Sequence, residues 1–142
     1  MSVSANVSHA VLRRDIGNIR MDLAGVEKVD VAAVSGADRL TVNDLAGTDV
    51  RYVNLDLSSQ GAPDQLADTV EVNGTNRADT IDVDATGGVV TVSGLRAQTS
   101  ITGADVTDQL DIKSGGGNDT VQVSDAPSAL FAVGVDLGTG QR

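Results

Sequence analysis

The run Asp68-Thr-Val-Glu-Val72, followed by Asp79-Thr-Ile-Asp-Val83, decides how this chain is read. Each run is an acid, a spacer, and two aliphatics separated by one residue. Alternation at period two marks a half-buried strand, with the two aliphatics on one face and the residue between them on the other. The same form stands at 27–31, 38–42, 108–112 and 119–123. The copies fall in pairs whose members begin 11 residues apart, at 27 and 38, 68 and 79, 108 and 119. Successive pairs begin 41 and then 40 residues apart. A fixed period of this length signals a repeat architecture.

Working outward, a second marker keeps step with the first. Met21-Asp22-Leu23, Leu55-Asp56-Leu57 and Val135-Asp136-Leu137 are each followed by two small residues, and Asp56 and Asp136 lie 80 residues apart. These spacings divide the chain into an N-terminal partial unit or cap, 1–26, and a β-repeat domain, 27–142. The domain has units 27–67, 68–107 and 108–142. Strands are expected near 19–23, 28–32, 39–43, 50–57, 69–73, 80–84, 89–93, 99–102, 109–113, 120–124 and 130–137. Turn formers separate them, among them Ser35-Gly36-Ala37, Gly87-Gly88 and Ser114-Gly-Gly-Gly-Asn118. Residues 9–24 carry a competing helical pattern, with Val11, Leu12, Ile16, Ile19 and Leu23 roughly on one face. Gly17 opposes a helix there by about 1 kcal/mol relative to Ala. Strand is preferred for 19–23 because it matches the later copies. A helix or irregular cap is the alternative for 9–24.

Large rings are almost missing: Tyr52 and Phe131 are the only aromatics. A two-sheet sandwich usually fills its core with some rings, whereas a narrow coil can be filled by stacked aliphatics. The fold expected is therefore an all-β repeat solenoid, a right-handed parallel β-helix or β-roll. Four short strands per 40-residue unit fit two coils of about 20 residues each. An antiparallel β-sandwich uses the same strand lengths and is the alternative.

Charge and composition narrow the function. With 20 acidic and 10 basic residues the net charge is −10, which argues against a nucleic-acid partner. It suits divalent cations or a soluble exported protein. The chain has no Cys, so disulfides and thiol chemistry are excluded. No apolar stretch is long enough for a membrane span. Residues 1–15 lack the apolar centre of a signal peptide, so the expectation is either a chain that starts inside a larger exported protein or export by a signal outside these residues. His9 is the only histidine, which leaves no zinc pair and a poor basis for a catalytic triad. The acidic cluster Asp79, Asp82 and Asp84 reads as a solvated face that discourages edge pairing.

At Gly115-Gly-Gly-Asn-Asp119-Thr-Val121 the chain resembles the nonapeptide of haemolysin-type (RTX) calcium-binding repeats, with Gly115, Gly117, Asp119 and Val121 at matched positions. Gly36-Ala-Asp38-Arg-Leu40 matches a shorter part, and Asp79 with Ile81 keeps the acid and the aliphatic. The resemblance implies a parallel β-roll in secreted bacterial proteins with Ca2+ held in turns between coils. Carried over, Asp119, Asp38 and Asp79 are the carboxylate ligands, with backbone oxygens at Gly115, Gly117 and Gly36. Ca2+ takes six to eight oxygens, and family sites need good motifs in adjacent coils. Here the position one coil before Asp119 holds Thr99 and no acid. The competing use of these aspartates is local: a carboxylate at a strand entry accepts nearby backbone N–H groups.

The function expected is a non-catalytic structural or binding module of a secreted or surface bacterial protein, adhesin-like, Ca2+-stabilised through the residues above. Its partners are neighbouring repeats or further copies stacked end to end. The alternative is a carbohydrate-acting β-helix enzyme or its accessory polysaccharide-binding domain, for which Tyr52 is the one candidate outward ring.

Overall fold

A computed structural model of the chain describes residues 1–6, 8–14, 19–33, 36–124 and 132–138. Ile16, Gly17, Ser35, Phe131 and residues 139–142 lie outside them. All regular structure among the described residues is β-strand. Every acid-led run forms one: β4 (Lys28–Ala32), β5 (Arg39–Val42), β9 (Thr69–Asn73), β10 (Thr80–Thr86), β13 (Gln109–Lys113) and β14 (Thr120–Val123) each begin one residue after the acid. In β4 and β10 burial alternates as the period demands, with Val29, Val31, Ile81 and Val83 inside and Asp30 and Asp82 outside.

The strands expected near 50–57, 89–93, 99–102 and 130–137 are β6 (Tyr52–Asp56), β11 (Val89–Ser93), β12 (Gln98–Thr102) and β15 (Ala132–Asp136). Two further strands open the chain, β1 (Ser2–Asn6) and β2 (His9–Arg14), ahead of β3 (Ile19–Leu23). The described residues of 9–24, which are 9–14 and 19–24, contain no helix. β2 and β3 instead pair antiparallel, Leu12 opposite Met21, and β2 pairs on its other side with β1. The Pro-containing stretch 58–67 holds a small hairpin of β7 (Ser58–Ser59) and β8 (Ala62–Pro63).

The strands form a seven-stranded sheet A, in the order β15-β13-β9-β5-β1-β2-β3, and a six-stranded sheet B, in the order β14-β10-β11-β12-β6-β4. From β4 on, the chain alternates between them: β4 in B, β5 in A, β6 in B, β9 in A, β10 in B, β13 in A, β14 in B, β15 in A. Within sheet A these returns lie side by side and parallel. Sheet B interrupts its parallel pairs with an antiparallel meander, β10-β11-β12, that places β12 beside β6. The sheets are thus mixed, neither the purely parallel pairing of the expected β-helix nor the antiparallel pairing of the alternative.

The expected coil length of about 20 residues is approached at two pairs, Lys28 beside Tyr52 and Gln109 beside Ala132, and is exceeded at the others. Thr80 lies beside Thr120 and Thr69 beside Gln109, so at these two pairs a whole 40-residue unit separates stacked neighbours. The physical reason is the turn at Gly87-Gly88, where φ is +59° and +80°. Positive φ at both central residues is what a two-residue hairpin turn requires. The chain therefore folds back within sheet B instead of crossing to sheet A.

The aliphatics stack in register between the sheets. Leu40, Val70, Leu110 and Val133 form one row of sheet A, and Val42, Val72, Ile112 and Val135 the next. In sheet B, Val31, Leu55, Ile101 and Val90 form a row, and Val29, Val53, Thr99, Val92 and Val83 another. Most of these side chains belong to one buried cluster, each contributing about 1.5–3 kcal/mol when fully buried. Val135, on β15, is 46% exposed.

Candidate functional site

The aspartates at the strand entries line the two edges where the chain passes between sheets. One edge holds the loops that lead into β10 and β14, residues 74–79 and 114–119, and these loops nest on each other. Asp79 donates its backbone N–H to Asp119 Oδ1 at 2.9 Å. The Asp79 carboxylate accepts the Thr75 backbone N–H at 2.8 Å and the Thr75 hydroxyl at 2.9 Å. Asp119 and Asp79 are therefore brought together. The neighbour of Asp119 is Asp79, not residue 99, because the hairpin within sheet B lengthens the unit.

The glycines of the resemblance have a packing reason here. Gly115 has φ +89°, and a Cβ on it would run into the Thr75 carbonyl oxygen. Gly117 has φ +102°, and a Cβ there would lie 2.7 Å from the Arg77 carbonyl. Both positions let one loop lie directly on the backbone of the other.

Asp38 and Gly36 stand elsewhere, on the edge that leads into sheet A. Asp38 donates its N–H to Asp68 Oδ1 at 2.7 Å, and Asp68 donates its own to Asp108 Oδ1 at 2.9 Å. Asp108 Oδ2 also accepts the Asp105 N–H at 2.8 Å. Each carboxylate thus binds the amide of the strand entry before it, a ladder running from β5 through β9 to β13. Gly36 has φ +103° and open space where a Cβ would stand.

Two oxygens on this edge are left without a partner. Asp68 is 1% exposed, and its Oδ2 is buried and makes no hydrogen bond, as is Oδ2 of Asp64. Burial pushes the Asp68 carboxyl up to about 6, against the pull of the Asp38 amide, with the charges of Asp108, Asp64 and Asp38 pushing the same way as burial. Burial also raises Asp108. Nothing in the repeat pattern singled out Asp64 and Asp105; only their place in acid-rich turns hints at this neighbourhood.

On the outer face of sheet A, Glu71 lies between Arg39 and Lys113, at 2.5 and 3.2 Å. Burial pushes its carboxyl up, but hydrogen bonds from Asn73 and Lys113 and the two cationic charges outweigh that and hold it below the usual range. His9 Nδ1 faces Asp22 at 2.8 Å on the exposed side of β2 and β3.

These arrangements test the calcium reading. Among the described residues no three His, Asp or Glu side chains are grouped to hold a metal ion. Asp79 spends both oxygens on Thr75, and Asp119 and Asp68 each spend one on a backbone amide. Asp38 and Gly36 share no loop with Asp79 and Asp119. The carboxylates do not fit the six to eight oxygens of a Ca2+ shell. No protein-family model, curated protein or solved structure matches the chain.

Proposed function

We propose that the chain is a non-catalytic scaffold module of a larger secreted or surface bacterial protein, a right-handed parallel β-solenoid of the β-roll kind whose ends stack on neighbouring repeats or on further copies. The observation that carries this reading is the set of in-register parallel ladders built by strands that alternate between two sheets. Such a stack buries its core only between neighbours, so each terminal strand invites another. In support, Val121, Val123 and Val133, on β14 and β15, are only partly buried. The aspartate ladder supports it further, because each strand entry supplies an amide and a carboxylate to the entries beside it. The likeness to haemolysin-type repeats then lies in rhythm and loop packing rather than in metal.

Sedimentation over a wide concentration range tests the reading. The expected result is a mass that rises with concentration and falls when a charge is placed on the outer rows, as in Val123→Lys. A monomer at every concentration, equal in the variant, removes the stacking role.

A further inference from the structure

Three loops on the edge that leads into sheet B enclose a cleft of about 290 Å3. They are the segment after β5, the loop from β9 to β10, and the turn from β11 to β12. The volume is at the lower end of the range that holds small ligands. Arg77 and Arg96 line it with Asp44, Asp79, Thr75 and Leu95.

The polar groups of this cleft are unevenly used. The Arg77 guanidinium makes no hydrogen bond or ion pair with any described residue; only its backbone N–H is engaged, on Thr75 Oγ1. Arg96 donates from Nη2 to the Thr48 carbonyl oxygen at 2.5 Å, which orients the fork and leaves its other N–H groups free. Asp79 is held by Thr75, and Asp44 Oδ1 accepts the Ala46 N–H at 2.9 Å. No salt bridge among the described residues joins either arginine to either aspartate. On a chain of net charge −10, two unpaired guanidinium groups in one small cleft run against the general sign.

We propose that this cleft binds a small hydroxylated carboxylate, of which a uronic acid is the fitting class. Planar guanidinium groups match a carboxylate with paired, charge-assisted hydrogen bonds. Hydroxyl groups on the same ligand donate to Asp44, whose Oδ1 alone is engaged, by the Ala46 N–H. A neutral sugar offers the arginines only hydroxyl oxygens, without the charge-assisted pairing of a carboxylate. A phosphate dianion meets two carboxylates and brings few hydrogens to satisfy them. The ligand that matches the lining brings one carboxylate to the two arginines and O–H donors to Asp44. This inference does not depend on the scaffold reading, since the loops form the cleft within one chain.

Calorimetric titration of the full chain with glucuronate, glucose and inorganic phosphate tests it. Glucuronate is expected to bind, with glucose giving no heat and phosphate binding more weakly. Arg77→Ala is expected to weaken glucuronate by about tenfold or more, the loss of one hydrogen bond to a charged group. Its melting temperature should not change, because the side chain supports nothing else. Amide chemical shifts of the unmutated chain give a second readout, in which Thr75, Arg77, Leu95 and Arg96 should move. No heat from glucuronate, equal binding of phosphate, an unchanged affinity in Arg77→Ala, or shifts confined to another face would each overturn the proposal.

Discussion

At the edge leading into sheet A, Asp68 and Asp108 are buried, their carboxyls raised, and one Asp68 oxygen has no partner. At the edge leading into sheet B, Asp79 and Asp119 are half-buried, and the Asp79 carboxylate is held by Thr75. Both edges begin from the same acid-led run, and both use the acid to accept the amide of a stacked neighbour. The difference comes from what surrounds the second oxygen. Thr75, four residues ahead of Asp79 in the same loop, supplies an N–H and a hydroxyl. On the other edge the loop instead brings up further carboxylates, Asp64 and Asp105. Burial, with these added charges, raises both Asp68 and Asp108, although Asp108 accepts a hydrogen bond on each oxygen.

The sharpest break of this comparison is in the glycines. Gly115→Ala places a Cβ at positive φ against the Thr75 carbonyl and is expected to destabilise by about 3 kcal/mol. Gly36→Ala meets open space and is expected to destabilise by about 1 kcal/mol through φ alone. Urea unfolding of both variants checks the gap, and equal losses would mean the loops do not nest.

Next in size is Asp79→Ala. It strips the Thr75 N–H and hydroxyl of their acceptor and is expected to destabilise by about 2 kcal/mol, measured by the same unfolding. A neutral result would remove the contrast between the edges.

Asp68→Asn should move in the opposite direction. A free Asp loses its proton near 3.8, while folded Asp68 keeps it to about 6. Between those values the native state binds the extra proton, so the stability of the unmutated protein falls as pH rises through the window and is level above it. Asn retains an oxygen for the Asp38 amide and carries no charge. Above pH 6 the variant is expected to gain about 1–2 kcal/mol, and the slope between the two pH values should flatten. Thermal melts at pH 4, 5, 6 and 7.5 would show it, and a loss at pH 7.5 would contradict the unpaired oxygen.

The smallest expected effect is that of Ca2+. With the carboxylates engaged on amides, replacing EGTA by about 1 mM Ca2+, a level that fills weak extracellular sites, should leave the melting temperature unchanged. A clear rise would show that Asp79 and Asp119 give up their present partners for a metal.

The acids of the candidate site were legible as a series, since their spacing put Asp119, Asp79 and Asp38 at equivalent strand entries. Their grouping was not. A 20-residue coil set Thr99 beside Asp119, and only the hairpin at Gly87-Gly88 brought Asp79 there. Asp64 and Asp105 carried no periodic signal. Arg77 and Arg96 looked scattered in the chain and share one cleft only because three separate loops meet at one edge.

Taken alone, the sequence determined that this chain is all-β, where most strands begin, and which aliphatics face inward. Those follow from a local rule, because side chains alternate along any strand whatever it pairs with. The tertiary structure decided pairing and direction. β1, with Val3 its one large aliphatic, is a strand because β5 and β2 flank it. Ladder partners 40 residues apart, and the order of strands across each sheet, depend on whether a turn folds back or crosses over. That choice is made by the backbone at a few glycines and by the neighbours that satisfy its hydrogen bonds.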